Sequence, residues 1–306
     1  MHTSPKAIAG FDLVRFAALG CVAGHHALSL VEMEKWSRLG PLSIGKLGVA
    51  LLLTLAGILA IQTSHEPLSW LIRRISKLFP AYWIVLAITV VLTWYNGHRE
   101  FDAGQVLSQF LGLGLFTHRS NLIYTPTWFI SIILVCYIGT TIARLFRPQW
   151  AVTVLVTGLL ASAVYCYANR WQFDRAMTYF AASLIPLLGR LGIPWLLAAG
   201  FGGAAVWQIE FAYPAIAIAV VEASRHVPRV PRIFKVAASY SYEFYLVHGL
   251  ALFGAVALLD DWPVLAIVSG VALAVIGSVL LRRTVDGIAL VLRRAQPLGE
   301  FVRSSH

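Results

Sequence analysis

Asp12, Arg15 and His26 stand inside the apolar run FDLVRFAALGCVAGHHAL, residues 11–28, where lipid would be expected. An α-helix advances about 100° per residue, so the eleven steps from Arg15 to His26 return to within about 20° of the start. Asp12 lies one turn below Arg15 on the same face, while His25 points roughly 80° away. One stripe therefore carries a carboxylate, a guanidinium and an imidazole, with about 16 Å between Arg15 and His26 along the axis. Guanidinium binds phosphate and carboxylate through a planar fork, and a neutral imidazole can take a proton from a hydroxyl. Arginine at mid-bilayer costs about 2.5–3.5 kcal/mol on insertion scales, so such groups usually face protein and mark a site or pathway. A plainer reading stands beside this one: Arg15 snorkels to the surface, paired with Asp12, while His26 bonds a neighbouring helix.

The elements that must position the stripe are membrane helices. The chain has 306 residues, 58% of them hydrophobic and 12% charged, with mean hydropathy +0.75. That leaves too few charges to coat a soluble domain of this size. The expected fold is all-α: a polytopic membrane protein with about ten transmembrane helices in one bundle, forming a single domain over residues 1–306. The apolar segments fall at 8–30, 45–63, 79–95, 126–146, 149–169, 177–190, 192–207, 210–224, 235–259 and 262–282. Between the third and fourth, FDAGQVLSQFLGLGLFTHRSNLIYTP is too short to span comfortably and reads as a re-entrant or interfacial helix. Residues from about 284 to 306 read as a basic tail along the membrane surface. The first apolar run is long and carries the charges, so no cleavable signal peptide is read there.

The net charge of +10 follows the membrane and not a nucleic-acid face. With ten spans and the N-terminus inside, sixteen of the 24 Lys and Arg lie on the inner side and seven on the outer, with Arg15 in the membrane. The positive-inside rule then predicts that both ends are cytoplasmic. Cys21, Cys136 and Cys166 are scattered in apolar runs, which argues against a disulfide framework or a zinc site. His118, Tyr124 and Trp128 lie near the outer mouth, where belt or loop roles and contact with an acceptor sugar are both open.

Several segments, in order, carry a family likeness. Arg15 and His26, with ten residues between them, match the first-helix signature of the membrane acyltransferases called acyltransferase family 3. FDLVRFAAL resembles that family's LDGLRAIAAL. GVALLLTLAGILA (Gly48 to Ala60) is similar to GVDLFFVLSGFLI, and IRRISKLFPAYW to RRxxRIxPxYW. TWFISIILVCY (Thr127 to Tyr137) resembles LWSLSVEEQFY, and SYEFYLVHGL resembles SYPLYLVHxP. The likeness runs from residue 11 to about 250. Ile133 and Leu134 stand where many members carry a glutamate pair. Either this chain does without the pair, or a carboxylate comes from elsewhere; Asp12, Glu222 and Glu243 lie in or near spans.

The resemblance implies transfer of an acyl group, acetyl or another such as succinyl, from cytoplasmic acyl-CoA to a hydroxyl. The acceptor it implies is a cell-surface or exported glycan, or a lipid-linked saccharide, at a bacterial inner membrane. No metal is expected; membrane lipid and glycan-assembly proteins are the expected partners. Arg73, Arg74 and Lys77, with Arg15 further in, would bind the phosphates of acetyl-CoA, although the positive-inside rule alone accounts for the first three. His26 would be the general base, an acyl-histidine being the variant mechanism, and Asp12 would orient Arg15. His248, with Ser241 and Tyr245 on its helical face, is a further candidate; its plainer role is a helix–helix hydrogen bond. His25 is off the stripe and expected to matter less. A different class, a multispan transporter or flippase for an anionic lipid or solute, would also suit intramembrane Arg and His. The sequence lacks the inverted repeat common in such carriers.

Overall fold

The computed structural model describes residues 9–95, 101–117, 121–169, 174–188 and 192–295. The chain runs through α1 (Ala9–Leu30), α2 (Ile44–Ile61), α3 (Pro67–Tyr95), α4 (Ala103–Phe110), α5 (Gly114–Thr117), α6 (Trp128–Leu145) and α7 (Pro148–Asn169). It continues through α8 (Asp174–Leu188), α9 (Ile193–Ala204), α10 (Ala212–Ser224), α11 (Arg232–Ser239), α12 (Ser241–Leu258) and α13 (Pro263–Ala295). A 3-10 turn at Glu34–Ser37 and a two-residue hairpin, Arg38–Leu39 against Leu42–Ser43, cap the end of α1. Gly40 supplies the hairpin's positive φ of 60°. In that cap Arg38 donates to Glu34 at 2.8 Å, and this bond holds the Glu34 carboxyl below its ordinary range.

This is an all-α polytopic membrane protein. Among the described residues, seven helices are long and apolar enough to cross a bilayer: α1, α2, α3, α6 with its leading turn, α7, α12 and α13. All ten predicted segments are helical, but α8, α9 and α10 have 15, 12 and 13 residues. A full crossing needs about 20. α8 escapes that demand because it is an interior helix: Ala176 to Leu184 is buried without a break, against α2, α6, α7 and α10.

Four boundaries differ from the sequence reading, the first being that the ninth segment, 235–259, is two helices, α11 and α12, which meet at Tyr240. α3 starts at Pro67 and passes Pro80 without ending, so Arg73, Arg74 and Lys77 sit on the helix and not below it. Trp70, buried against the core, anchors that extra length. α13 continues past Arg282 to Ala295, so residues 284–295 prolong the last span as one helix; 296–306 lie outside the described residues. The single helix expected before α6 is two, α4 and α5, broken at Gly112 with φ +75°. Its backbone is satisfied by protein, as non-helical chain in a membrane protein must be. Tyr82 donates to Gln109 O, Trp83 to Phe110 O at 2.8 Å, and Ser131 to Gly112 O at 2.6 Å.

The centre of the bundle is α2, which packs on α1, α8, α10 and α6. Its glycines set the spacing. A Cβ at Gly48 would lie 2.5 Å from the carbonyl oxygen of Ala18, and one at Gly57 2.5 Å from that of Tyr179. Backbone is met in both cases, so a side chain cannot be accommodated by a rotamer change. Gly48→Val is expected to destabilise the protein by about 1–3 kcal/mol through overpacking. Gly20→Ala, on the open face of α1 with nothing within 4 Å, is expected to be neutral or to stabilise by up to about 1 kcal/mol. Denaturant unfolding in detergent measures both.

Candidate active site

Between α1, α2, α3, α6, α11, α12 and α13 lies a cavity of about 380 Å³. One wall is apolar: Leu52, Leu55, Ala56 and Leu59 of α2 with Phe129 and Ile133 of α6. The other is cationic: Arg15, Arg74, Lys77 and Arg282, with Glu243 the one carboxylate among them. Arg74 and Lys77 are three residues apart, so they share a face of α3. Arg73, one step away from Arg74, is exposed and does not line the cavity.

Most charges near the cavity have a partner: Arg15, Arg74, Glu243 and Arg282 do. Arg15 pairs with Asp12 at 3.0 Å, and Asp12 itself does not reach the cavity. Arg282 lies 3.9 Å from Glu243 and donates to Ser239 O at 2.6 Å. Arg74 and Arg144 both lie 5.5 Å from the ring centre of Trp70, whose buried indole N–H finds no acceptor. Arg144 also donates to Thr63 O and His65 O, tying α6 to the α2–α3 turn.

The cavity ends at Phe129 and Tyr245, whose rings are 4.9 Å apart. Tyr245 is buried and its hydroxyl donates to Pro126 O at 3.1 Å. Beyond it come three imidazoles in a row. His248 is 5.6 Å from Tyr245 and 5.2 Å from His26, and His26 is 5.5 Å from His25, all between ring centres. His25 turns towards α2 and meets Ser37 through Nδ1 at 2.8 Å. Ser37 gives its own proton to Glu34 O at 2.7 Å, so the His25 Nδ1–H must be the donor in that contact. Arg175 of α8 completes the neighbourhood: it is buried, its guanidinium carbon is 3.8 Å from the ring centre of Trp128, and its charge reaches His25, His26 and Tyr245. No three His, Cys, Asp or Glu side chains converge as a metal site among the described residues.

The residues singled out in the sequence thus fall into two groups. Arg15, Arg74, Lys77 and Tyr245 line the cavity; His25, His26 and His248 form the row behind Tyr245. Asp12 stands outside both as the ion-pair partner of Arg15, and Arg73 faces away. His118 lies outside the described residues. Trp70, Arg175 and Arg282 were not singled out. The last two read as ordinary loop cations in the sequence, and only the long-range packing of α8 and α13 brings them in. Glu243 was one of three carboxylates open in the sequence, and it alone lines the cavity. It shares that cavity with Ile133, at the position where the family likeness has a glutamate.

The profile of the family described as acyltransferase domain (Acyl_transf_3) matches residues 8–221, and the chain belongs to that family. It is therefore a membrane acyltransferase, which sets aside the carrier reading. No curated protein and no solved structure matched.

The cavity's reach can be checked chemically. Ser239 is an exposed lining residue, whereas the native Cys136 is fully buried. In folded protein, Ser239→Cys is expected to react readily with a small charged maleimide while Cys136 stays unmodified, as mass spectrometry would show.

Proposed function

We propose that the chain transfers an acyl group, acetyl first, from cytoplasmic acyl-CoA to a hydroxyl of a cell-surface or exported glycan. The observation that carries this reading is the cavity, whose lining joins four cations from α1, α3 and α13 to a leucine-rich stretch of α2. Coenzyme A combines several phosphate charges with a long, weakly polar arm, and such a divided cavity suits both parts. Arg74 and Lys77, with Arg15 and Arg282, bind the phosphates; the apolar wall takes the arm.

His26 is the general base. As the acceptor oxygen attacks the thioester carbonyl, its proton moves to an imidazole nitrogen of His26. The carbon–sulfur bond then breaks, the electron pair leaves on the CoA sulfur, and His26 returns the proton to that thiolate. The arm must pass Phe129 and Tyr245 to bring the thioester to His26. The setting is a bacterial inner membrane with both chain ends inside, as the charge bias favours. On that orientation, Ser239→Cys in sealed vesicles reacts with an impermeant reagent only from the cytoplasmic face.

The test uses purified protein in nanodiscs, with acetyl-CoA binding and its slow hydrolysis to CoA as readouts. A charge-assisted hydrogen bond contributes about 1.5–3 kcal/mol, so Arg74→Ala and Lys77→Ala are each expected to weaken binding about tenfold or more. Arg73→Ala leaves binding unchanged. His26→Ala binds normally and loses turnover; His25→Ala is milder. Folded wild type that binds no acyl-CoA would sink the proposal.

A further inference from the structure

We propose that His248 is the positioning partner of His26. Its Nε2 accepts the N–H of one His26 ring nitrogen and leaves the other nitrogen unprotonated to act as the base. This rests on the reading of His26 as general base given above.

The tautomer of His248 follows from its surroundings. Nδ1 lies 2.6 Å from Tyr245 O, and a carbonyl oxygen only accepts, so Nδ1 holds the proton. In the neutral ring Nε2 then carries a lone pair. That atom is buried, in a residue 1% exposed, and has no hydrogen-bond partner among the described residues. A buried acceptor left unsatisfied is uncommon and points to a partner that arrives later.

Few neighbours could be that partner. The rings around His248 are Phe244, stacked at 6.1 Å, Tyr245 and His26. Phe244 has no donor, and the Tyr245 hydroxyl already donates to Pro126 O. His26 remains. Its ring is only part-buried and faces His248 at 5.2 Å between centres, so a modest turn brings a nitrogen into reach. Catalytic hydrogen bonds are often long before substrate binds and tighten in the complex. The other groups facing His26 do not compete. Arg175 has no acceptor atom, and His25, although its Nε2 also carries a lone pair, is part-exposed and can be met by water.

His248 is also held still. The hydroxyl of Tyr124 donates to Leu246 O at 2.9 Å and accepts from Leu250 N at 3.2 Å, clamping the turn of α12 that carries the histidine. Gly249 leaves room for that phenol: a Cβ there would meet the Tyr124 oxygen at 2.5 Å. Over the reaction His248 neither gains nor loses a proton. It holds the His26 imidazolium through one N–H while the other nitrogen takes the acceptor's proton and passes it to the CoA thiolate.

The test measures acetyl-CoA affinity and CoA release by the full chain in nanodiscs. His248→Phe keeps a ring and removes the acceptor; turnover is expected to fall about 10- to 100-fold, as for lost outer-shell partners, with acetyl-CoA affinity unchanged. His248→Gln places an amide oxygen near the site of Nε2 and should recover most of that loss; His248→Asn, too short to reach, should not. Wild-type turnover in His248→Phe, or Gln no better than Asn, overturns the assignment, and the Gln and Asn comparison stands even if the Phe variant fails to fold. Turnover that survives in His26→Ala, or is absent from folded wild type, overturns the functional reading and this assignment with it. Loss in His26→Ala with full activity in the His248 variants overturns the assignment alone.

Discussion

An ionisable group inside an apolar bundle is tolerated only when it is paired or borders a polar cavity, and the arrangement of this protein follows from that constraint. Asp12 lies on Arg15, Glu222 on Arg225 at 2.6 Å, and Glu243 beside Arg282. The first two pairs are three residues apart and need only a helix. The third joins α12 to α13, so the cavity can form only once those helices lie side by side. Arg144 is held by two carbonyls and an indole, which ties α6 to the α2–α3 turn. Each such tie costs desolvation that must be offset by good geometry, so the helices around the cavity have little freedom to slide.

That constraint also explains what stands where the family likeness has glutamates. Ile133 lines the cavity together with Leu52, Leu55, Leu59 and Phe129. The cavity's carboxylate comes from α12 instead, where Glu243 has Arg282 across from it. The pairing of Glu243 with Arg282 keeps either from being buried alone.

Much of this was legible in the sequence for a simple reason: burial in lipid writes long apolar runs. All ten segments are helices, and the period of 3.6 residues placed Arg15, His26 and His25 on the faces they occupy. Local periodicity does not report which helix lies opposite. Nothing near His26 announces His248, more than two hundred residues away, and nothing near Glu243 announces Arg282. Arg73 and Arg74 are indistinguishable as a motif; only the rotation of α3 against the cavity separates them. Composition does not separate α8 from a span, because a short apolar helix in the interior and a short span read alike. The glycines of α2 could be matched to a family pattern, but their reason, two carbonyl oxygens 2.5 Å from where a Cβ would sit, is a matter of packing.

The site is divided, and the division has chemical consequences. Arg15 and His26 share a face of α1, yet Phe129 and Tyr245 end the cavity before it reaches the histidines. On the proposed reading, a thioester sits in the cationic half and meets the acceptor only beyond that aromatic wall. An open path between the two would let water reach the thioester and would give ions a route along the stripe. A wall of two packed rings keeps both out while leaving van der Waals contacts, weaker than hydrogen bonds, for the arm to displace. Tyr245 is tethered at its hydroxyl and backed by His248, so its displacement would be felt at the imidazole row. Arrival of the donor arm and alignment of His26 would then be linked through a single side chain, and the base would come into position only when there is a thioester to attack.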